Sequence, residues 1–326
     1  MTLTHCQVSN VRTRLSGQLW PRGSQSGLPT WGAFGFGLPF FGFGTWITLV
    51  SVKVVHVNPS SVHAPYWVLT VAGLTFFLGG VWMWSMGCKQ FRANQRRKNI
   101  LARDSSDVAR ADYAWDEKGY TPPRWSTPIK MMGIGLAVTA FLSMFNWWAF
   151  VLGGPVFIKV IVGLFDAFLI TFWYQNVAAF LRAAKFGNSR AEFSQFPYHL
   201  GEPVVLRWLT PTGINRAESG TFRLRCIEQW YERTGRGENS SSTLVQEEVW
   251  SSTASLASAQ DVPPGKWIEL RFDPPGSALP TCLNAKGSKP VFWELVIAFQ
   301  ERGLDFKQTY LVPIYARKSA EPAPVA

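Results

Sequence analysis

Chemically versatile side chains are scarce in this chain. Only four cysteines and four histidines occur among its 326 residues. Cys6, Cys88, Cys226 and Cys282 are scattered, with no CxxC pair and no Cys/His spacing of a zinc site. His5, His56, His63 and His199 have no acidic or nucleophilic neighbour at a meaningful spacing. The HExxH helix, the Walker loop, the dinucleotide fingerprint and the nucleophile elbow are all missing. The nearest approach to an elbow is GSQSG at Gly23–Gly27, where Gln25 stands in the nucleophile's place. These absences leave no catalytic residue, cofactor site or metal site to name, and the expectation is a non-enzymatic protein. No secretory leader is expected in the first residues either. Residues 1–30 are polar and punctuated by Gly, Ser and Pro, without an apolar core, so the first apolar run is expected to act as an uncleaved anchor.

Apolar sequence, by contrast, is plentiful and unevenly placed. It makes up 47% of the chain, and most of it lies between Trp31 and Leu181. The mean hydropathy of +0.03 therefore averages an apolar half and a polar half. Four runs are long enough to cross roughly 30 Å of hydrocarbon at 1.5 Å per residue: Trp31–Val52, Pro65–Met86, Met131–Leu152 and Pro155–Leu181. Many of the 16 Trp fall at the ends of these runs, as suits a membrane interface.

The net charge of +11 raises nucleic acid as a partner, but its placement argues for topology instead. The segment Lys89–Lys130 carries ten basic residues against five acidic ones, while Gly187–Lys318 is nearly balanced and offers no basic face for phosphate. Four spans put both termini on one side, with the basic tail, the basic loop and Arg182, Lys185 and Arg190. The positive-inside rule makes that side the cytoplasm, against the minority vote of Lys53 and Lys159. The expected location is the inner membrane, multi-pass, with cytoplasmic N- and C-termini.

The expected organisation follows in order. Residues 1–30 form a disordered basic tail and 31–87 a first transmembrane hairpin. Residues 88–130 form a basic cytoplasmic loop, and 131–181 a second hairpin turning at Gly153-Gly154-Pro155. A β-sandwich spans 187–317, and 318–326 is a flexible tail. In the first span Gly35 and Gly42, and Gly37 and Gly44, lie two turns apart, a spacing for close helix packing. Pro39 predicts a kink or break there. His56 and His63 read as solvated loop residues. Arg96, Arg97 and Lys98 sit where anionic headgroups would be. Asp112, Asp116 and Glu117 miss the spacing of a calcium loop and read as a solvated turn. Tyr113, Trp115, Tyr120 and Trp125 either line the interface or dock on the soluble domain.

From Phe186 the pattern changes to alternation. Phe222, Leu224 and Cys226 face opposite to Arg223 and Arg225, and Ile268, Leu270 and Phe272 alternate with Glu269 and Arg271. One buried and one wet face is the mark of antiparallel sheet. Seven such strands with turn punctuation predict an all-β antiparallel sandwich of about 120 residues. Cys226 and Cys282 are expected to be free thiols in the cytoplasm, with pairing across adjacent strands as the alternative.

The order FGNS (Phe186–Ser189), FPYHLGEPV (Phe196–Val204), RLRC (Arg223–Cys226), then Trp293-Glu-Leu, Gly303-Leu-Asp-Phe and Val312-Pro-Ile resembles a group of bacterial membrane proteins of unassigned function. In these a transmembrane hairpin precedes an arrestin-like or immunoglobulin-like β-sandwich. DYAWDEKGY before the second hairpin is similar as well, so the likeness covers roughly residues 110–316. It implies a fold and a membrane anchor, and lends no mechanism or active-site residue.

Inside the fourth run stands Asp166, about 17 Å along the helix from Pro155. A lone carboxylate at that depth is costly, whereas Lys159, a turn in, can snorkel. Folding the hairpin about Gly153-Gly154 sets Asp166 level with Thr139 and Ser143, and a neutral Asp166 bonded to one of those hydroxyls is expected. The alternatives are a proton or ion relay, with Lys159 and Asn146 as the other polar groups, and docking of a partner's membrane helix. Three functions compete. The first is an anchor presenting a sandwich that binds another protein, through an exposed edge strand. The second is a small transporter or channel subunit using Asp166. The third is a membrane-surface enzyme with an unrecognised site. The implied partners are the bilayer, a protein and, as an option, a second copy of the chain; nucleic acid is not among them.

Overall fold

The computed structural model describes residues 7–15, 30–58, 65–104, 107–212, 214, 216–235, 240–256, 260–283, 289–301 and 303–317. The expectations for the remainder of the tail (with His5, Cys6 and Gly23–Gly27), for His63 and for residues 318–326 fall outside these. The chain divides into two compact units, one built of residues 28–96 and 125–183, the other of 1–27, 97–124 and 184–326.

The helical unit contains α1 (Thr30–Ser51), most of α2 (Tyr66–Arg103), α4 (Ser126–Asn146, running on through a wider π-turn at Trp147–Val151) and most of α5 (Val156–Phe186). All four are long and apolar enough to cross a membrane. At its 38 residues, α2 is roughly 57 Å long. Gly35, Gly37, Gly42 and Gly44 of α1 are expected to form one packing stripe, but of these only Gly37 and Gly44 face α2. A Cβ on Gly44 would strike the backbone of Phe77, and one on Gly80 the backbone of Phe41, while Gly35 and Gly42 face open space. Gly37 and Gly44 thus let α1 close on Gly80 and Gly73 of α2 backbone to backbone, the contact that small residues permit. Pro39 does not break α1, which is continuous through it.

The second hairpin turns at the expected Gly153-Gly154-Pro155, but its arms pair in a shifted register. Asn146 Nδ2 donates to Asp166 Oδ1 at 3.0 Å, and Trp173 Nε1 to Thr139 Oγ1 at 3.1 Å. Seven residues back along α4 correspond to seven forward along α5, so the register mirrors about Val156 rather than Gly153-Gly154. The π-turn carries the first arm beyond Asn146, and Gly153, at φ 71°, makes the reversal.

The other unit is a sandwich of two main sheets. One runs β1 (Gln7–Ser9), β9 (Ser241–Ser255), β8 (Ser219–Thr234), β12 (Val291–Gln300), β13 (Phe306–Val312), with β2 (Thr13–Arg14) also on β9. The other runs β11 (Trp267–Phe272), β6 (Val204–Leu209), β4 (Arg190–Phe193), β3 (Gly119–Tyr120). All of these pairings are antiparallel. Short β7 (Arg216–Ala217) pairs β10 (Gln260–Asp261), and β5 (Tyr198–His199) runs parallel to β14 (Ile314–Tyr315). The alternation read in the sequence builds the core: Phe222, Leu224 and Cys226 meet Val204, Leu206 and Trp208 across it.

Two expectations about this unit are corrected. Residues 7–15, assigned to a disordered tail, form β1 and β2 on β9, with Leu15 N–H donating to Gln246 O. The loop is not all loop: α3 (Val108–Asp112) and β3 belong to the sandwich. Tyr113, Trp115 and Tyr120 dock on its outer face against Ile227, Phe292 and Leu311, whereas Trp125 packs on Phe180 in the helical unit. Cys226 and Cys282 are both free, as is Cys88.

Burial sets a pH limit on this unit. It raises the Cys226 thiol and the Tyr198, Tyr310 and Tyr315 phenols above their ordinary values, by desolvation first. Each is an acid whose neutral form is favoured in the fold, so stability is intact below the unfolded-state values and falls as pH rises through them. The loss is expected to begin near pH 9 for the thiol and near pH 10 for the phenols, at up to about 1.4 kcal/mol per pH unit for each group past its unfolded-state value. Denaturant titrations at pH 8 and 10.5 check this, and equal midpoints would contradict it.

Candidate functional site

Polar groups gather at three places. In the helical unit, Asp166 is half-buried and accepts from Asn146, not from Thr139 or Ser143. Those hydroxyls are engaged within their own helix: Thr139 Oγ1 donates to Gly135 O at 2.7 Å and Ser143 Oγ to Ala140 O at 2.6 Å. Asn146 also reaches Leu142 O at 3.3 Å and immediately precedes the π-turn. The sequence put Asn146 among the polar candidates but missed its pairing, because the π-turn between Asn146 and the reversal at Gly153 shifts the register of the two arms. Lys159 stands in the first turn of α5 and is not brought to this pair. Arg96, Arg97 and Lys98 lie on the unbroken C-terminal stretch of α2.

The second place is the outer face of the larger sheet, which the alternation assigned to solvent. Glu294 is 1% exposed and Glu248 2%. Arg225 Nε donates to Glu294 Oε1 at 2.8 Å, and Arg225 Nη1 lies 3.8 Å from Glu248 Oε2. Arg223 Nη2 pairs with Glu248 and reaches Ser251 Oγ at 3.3 Å. Beside these pairs, Tyr113, Trp115, Tyr120 and Leu15 cover an apolar patch of Ile227, Phe292 and Leu311.

Asp112 fastens that cover. Read as part of a solvated acidic turn, it is instead buried; its Oδ2 accepts from Leu283 N–H at 2.8 Å and from Tyr315 Oη at 3.2 Å. Trp115 Nε1 donates to Tyr315 Oη at 3.0 Å. Asp116 and Glu117 stay outside, near Arg190 and Arg110. Asp112→Ala strands two buried donors, each worth about 1–3 kcal/mol. Amide exchange across residues 107–120 is expected to accelerate while β12 stays protected; unchanged exchange there would remove Asp112 from this role.

The third place is the junction into the sandwich. Phe186 is buried against Phe306 with ring centroids 5.2 Å apart, and Gly187 turns at φ 71°. Ser189 Oγ accepts from Tyr310 Oη at 2.7 Å, which accepts from Trp208 Nε1 at 2.8 Å. Lys185 Nζ lies 2.7 Å from Glu301. These contacts are structural, and among the described residues no three His, Cys, Asp or Glu converge as a metal site.

No protein-family model matches the chain, and no curated protein matches it. Among solved structures, the sporulation control protein Spo0M from Bacillus subtilis is similar over 40% of this chain and 49% of its own, at 13% identity and a TM-score of 0.25. The chain thus spans about half the length of that protein, and a likeness of this degree carries no functional argument. The resemblance to anchored β-sandwich proteins remains an expectation on the motifs that suggested it.

Proposed function

We propose that this chain is an integral membrane protein whose four helices anchor a β-sandwich at the cytoplasmic face of the inner membrane, where the sandwich binds another protein. One observation carries the reading. Residues 7–15, 107–120 and 187–317 join a single strand unit, so the chain returns to the same unit after each helical hairpin. That return supports an even number of crossings, with both termini on one side. The length of α2 supports it further: roughly 57 Å exceeds the hydrocarbon by some five turns, and the excess carries Arg96, Arg97 and Lys98 well clear of the hydrocarbon at one end. For the partner, the exposed edge strand β11 offers main-chain groups beside Trp267, Glu269 and Arg271.

An Arg271→Cys variant tests sidedness. A membrane-impermeant maleimide is expected to label it only after the inner membrane is permeabilised; labelling of intact spheroplasts would reject the cytoplasmic assignment. Photo-crosslinkers placed along β11 and the outer face in living cells test the interaction. Discrete adducts to one protein are expected, and their absence at every position would end the reading.

A second reading is a small transporter or channel subunit, favoured by the Asp166–Asn146 pair beside a π-turn, a feature frequent at functional sites. It requires Asp166→Asn to abolish an ion- or proton-linked phenotype; an unaltered phenotype leaves the pair a packing device.

A further inference from the structure

The smaller sheet ends on a bare strand. β11 pairs with β6 without a break, from Trp267 opposite Leu209 to Phe272 opposite Val204. On its other side no strand follows among the described residues. Sheet edges are usually blunted by short length, by proline, by lysine or by a bulge, because their spare main-chain groups template a further strand. The other sheet ends follow that rule: β3 is two residues long, β1 three, and β13 carries Lys307. Within Trp267–Phe272 there is no proline, no lysine and no bulge, and the two charges are of opposite sign.

The ladder fixes which main-chain groups are spare. Thr210 N–H donates to Lys266 O at 2.9 Å. Main-chain groups alternate sides along an antiparallel strand. Those of Lys266, Ile268, Leu270 and Phe272 therefore turn to β6, and those of Trp267, Glu269 and Arg271 turn to the open edge. The side chains of these last three are exposed, whereas Leu270 and Phe272 lie in the core. Along the exposed face the sign alternates: Glu269, Arg271, then Asp273, whose Oδ1 lies 3.6 Å from Arg271 Nε. Arg207 opposes Glu269 from β6.

This alternation is complementary to itself. A second β11 laid antiparallel and centred on Leu270 sets Glu269 of each copy opposite Arg271 of the other. Both residues present spare main-chain groups, so each pair exchanges its N–H···O bonds as well as opposing opposite charges. Trp267 then lies across from Asp273. Centring on Glu269 or on Arg271 would set that charge against its own copy, and like charges directly opposite are destabilising. Charge thus selects one register.

We propose that β11 is a self-recognition edge: two copies of the chain pair antiparallel through it, centred on Leu270, and join their smaller sheets into one. The proposal rests on the protein-interaction reading and names the partner at that edge as a second copy of this chain. One strand pairing is small beside the about 1,600 Å² of a standard interface, so the association is reversible and is measured with both copies in one bilayer.

The test uses the full chain, fused at its C-terminus to a donor or an acceptor fluorescent protein, in phosphatidylcholine vesicles. Energy transfer above random proximity is expected for the wild type, falling as lipid dilutes the protein. Glu269→Arg and Arg271→Glu, each alone, set like charges across the edge, and each is expected to weaken association by about tenfold. Mixing donor-labelled Glu269→Arg with acceptor-labelled Arg271→Glu rebuilds both opposite-charge pairs and is expected to return transfer to the wild-type level, which also shows that both variants fold. Wild-type transfer at the random level overturns the self-pairing. So do single variants that transfer like the wild type, or a mixture that transfers no better than its components. The in-cell crosslinks along β11 separate the two levels of the claim. Adducts only to a different protein remove the self-pairing and keep the interaction reading, whereas no adduct at any position removes both.

Discussion

Replacing Arg225 with methionine is expected to cost the sandwich about 3–5 kcal/mol, since removing one partner of a buried ion pair leaves the other charge without compensation. Arg225 is 13% exposed and Glu294 1%, and their side chains face each other directly across the β8–β12 ladder. Glu248 gains little from Arg225 at 3.8 Å and retains Arg223, so Glu294 is the carboxylate that loses its bonded guanidinium. The double variant Arg225→Met/Glu294→Leu separates pairing from packing. Apolar replacement of both partners is often neutral, so it is expected to recover most of the loss. Denaturant unfolding of the full chain in detergent, followed by amide exchange in β8 and β12, measures both. A double variant as unstable as the single one would show that the cost lies in side-chain volume and not in the uncompensated carboxylate.

Trp208→Ala is expected to cost a similar amount, about 3–5 kcal/mol, by opening a cavity at the centre of the core. Trp208 is fully buried, stacks on Phe299 at 5.6 Å and meets Phe222 edge-on at 5.7 Å. It also begins the hydrogen-bond chain through Tyr310 to Ser189. Trp208→Phe keeps most of the ring contact and gives up one hydrogen bond, so about 1 kcal/mol is expected. The two measurements apportion the residue between packing and the junction. Equal losses in both variants would mean that the hydrogen-bond chain, and not the ring, holds β6 to β13.

The elements that were legible in the sequence are those fixed by period. Helical apolar runs gave α1, α4 and α5 to within about five residues at each end, whereas α2 continues past the expected end at Met86 to Arg103, where the apolar signal stops but the helix does not; alternation gave the seven main strands with the correct inward residues, such as Phe222, Leu224 and Cys226. Pairings between distant segments left no local trace. Gln7–Ser9 and Thr13–Arg14 are too short to show a period, and their strand character comes from the β9 edge they meet. Asp112 reads as a turn acid because its two donors come from Leu283 and Tyr315, far along the chain. Likewise Arg223 and Arg225 alternate as a wet face should, and their pairing with Glu248 and Glu294 depends on strands distant in sequence. For Asp166 the depth was recovered to within one helical turn, and the error lay in the π-turn, which apolar composition cannot distinguish from an ordinary α-turn.

The pairing of β1 and β2 with β9 also imposes a waiting time on synthesis. Arg12 bonds Glu247, 235 residues later. At about 5–20 residues per second, the first strands leave the ribosome roughly 10–50 s before their template exists. All four long apolar helices are made within that interval. The early strands therefore spend it unpaired, and β9 in turn emerges with a bare edge until they find it. A nascent chain truncated or slowed in this window would expose an unguarded strand edge, the surface most prone to adding a foreign strand.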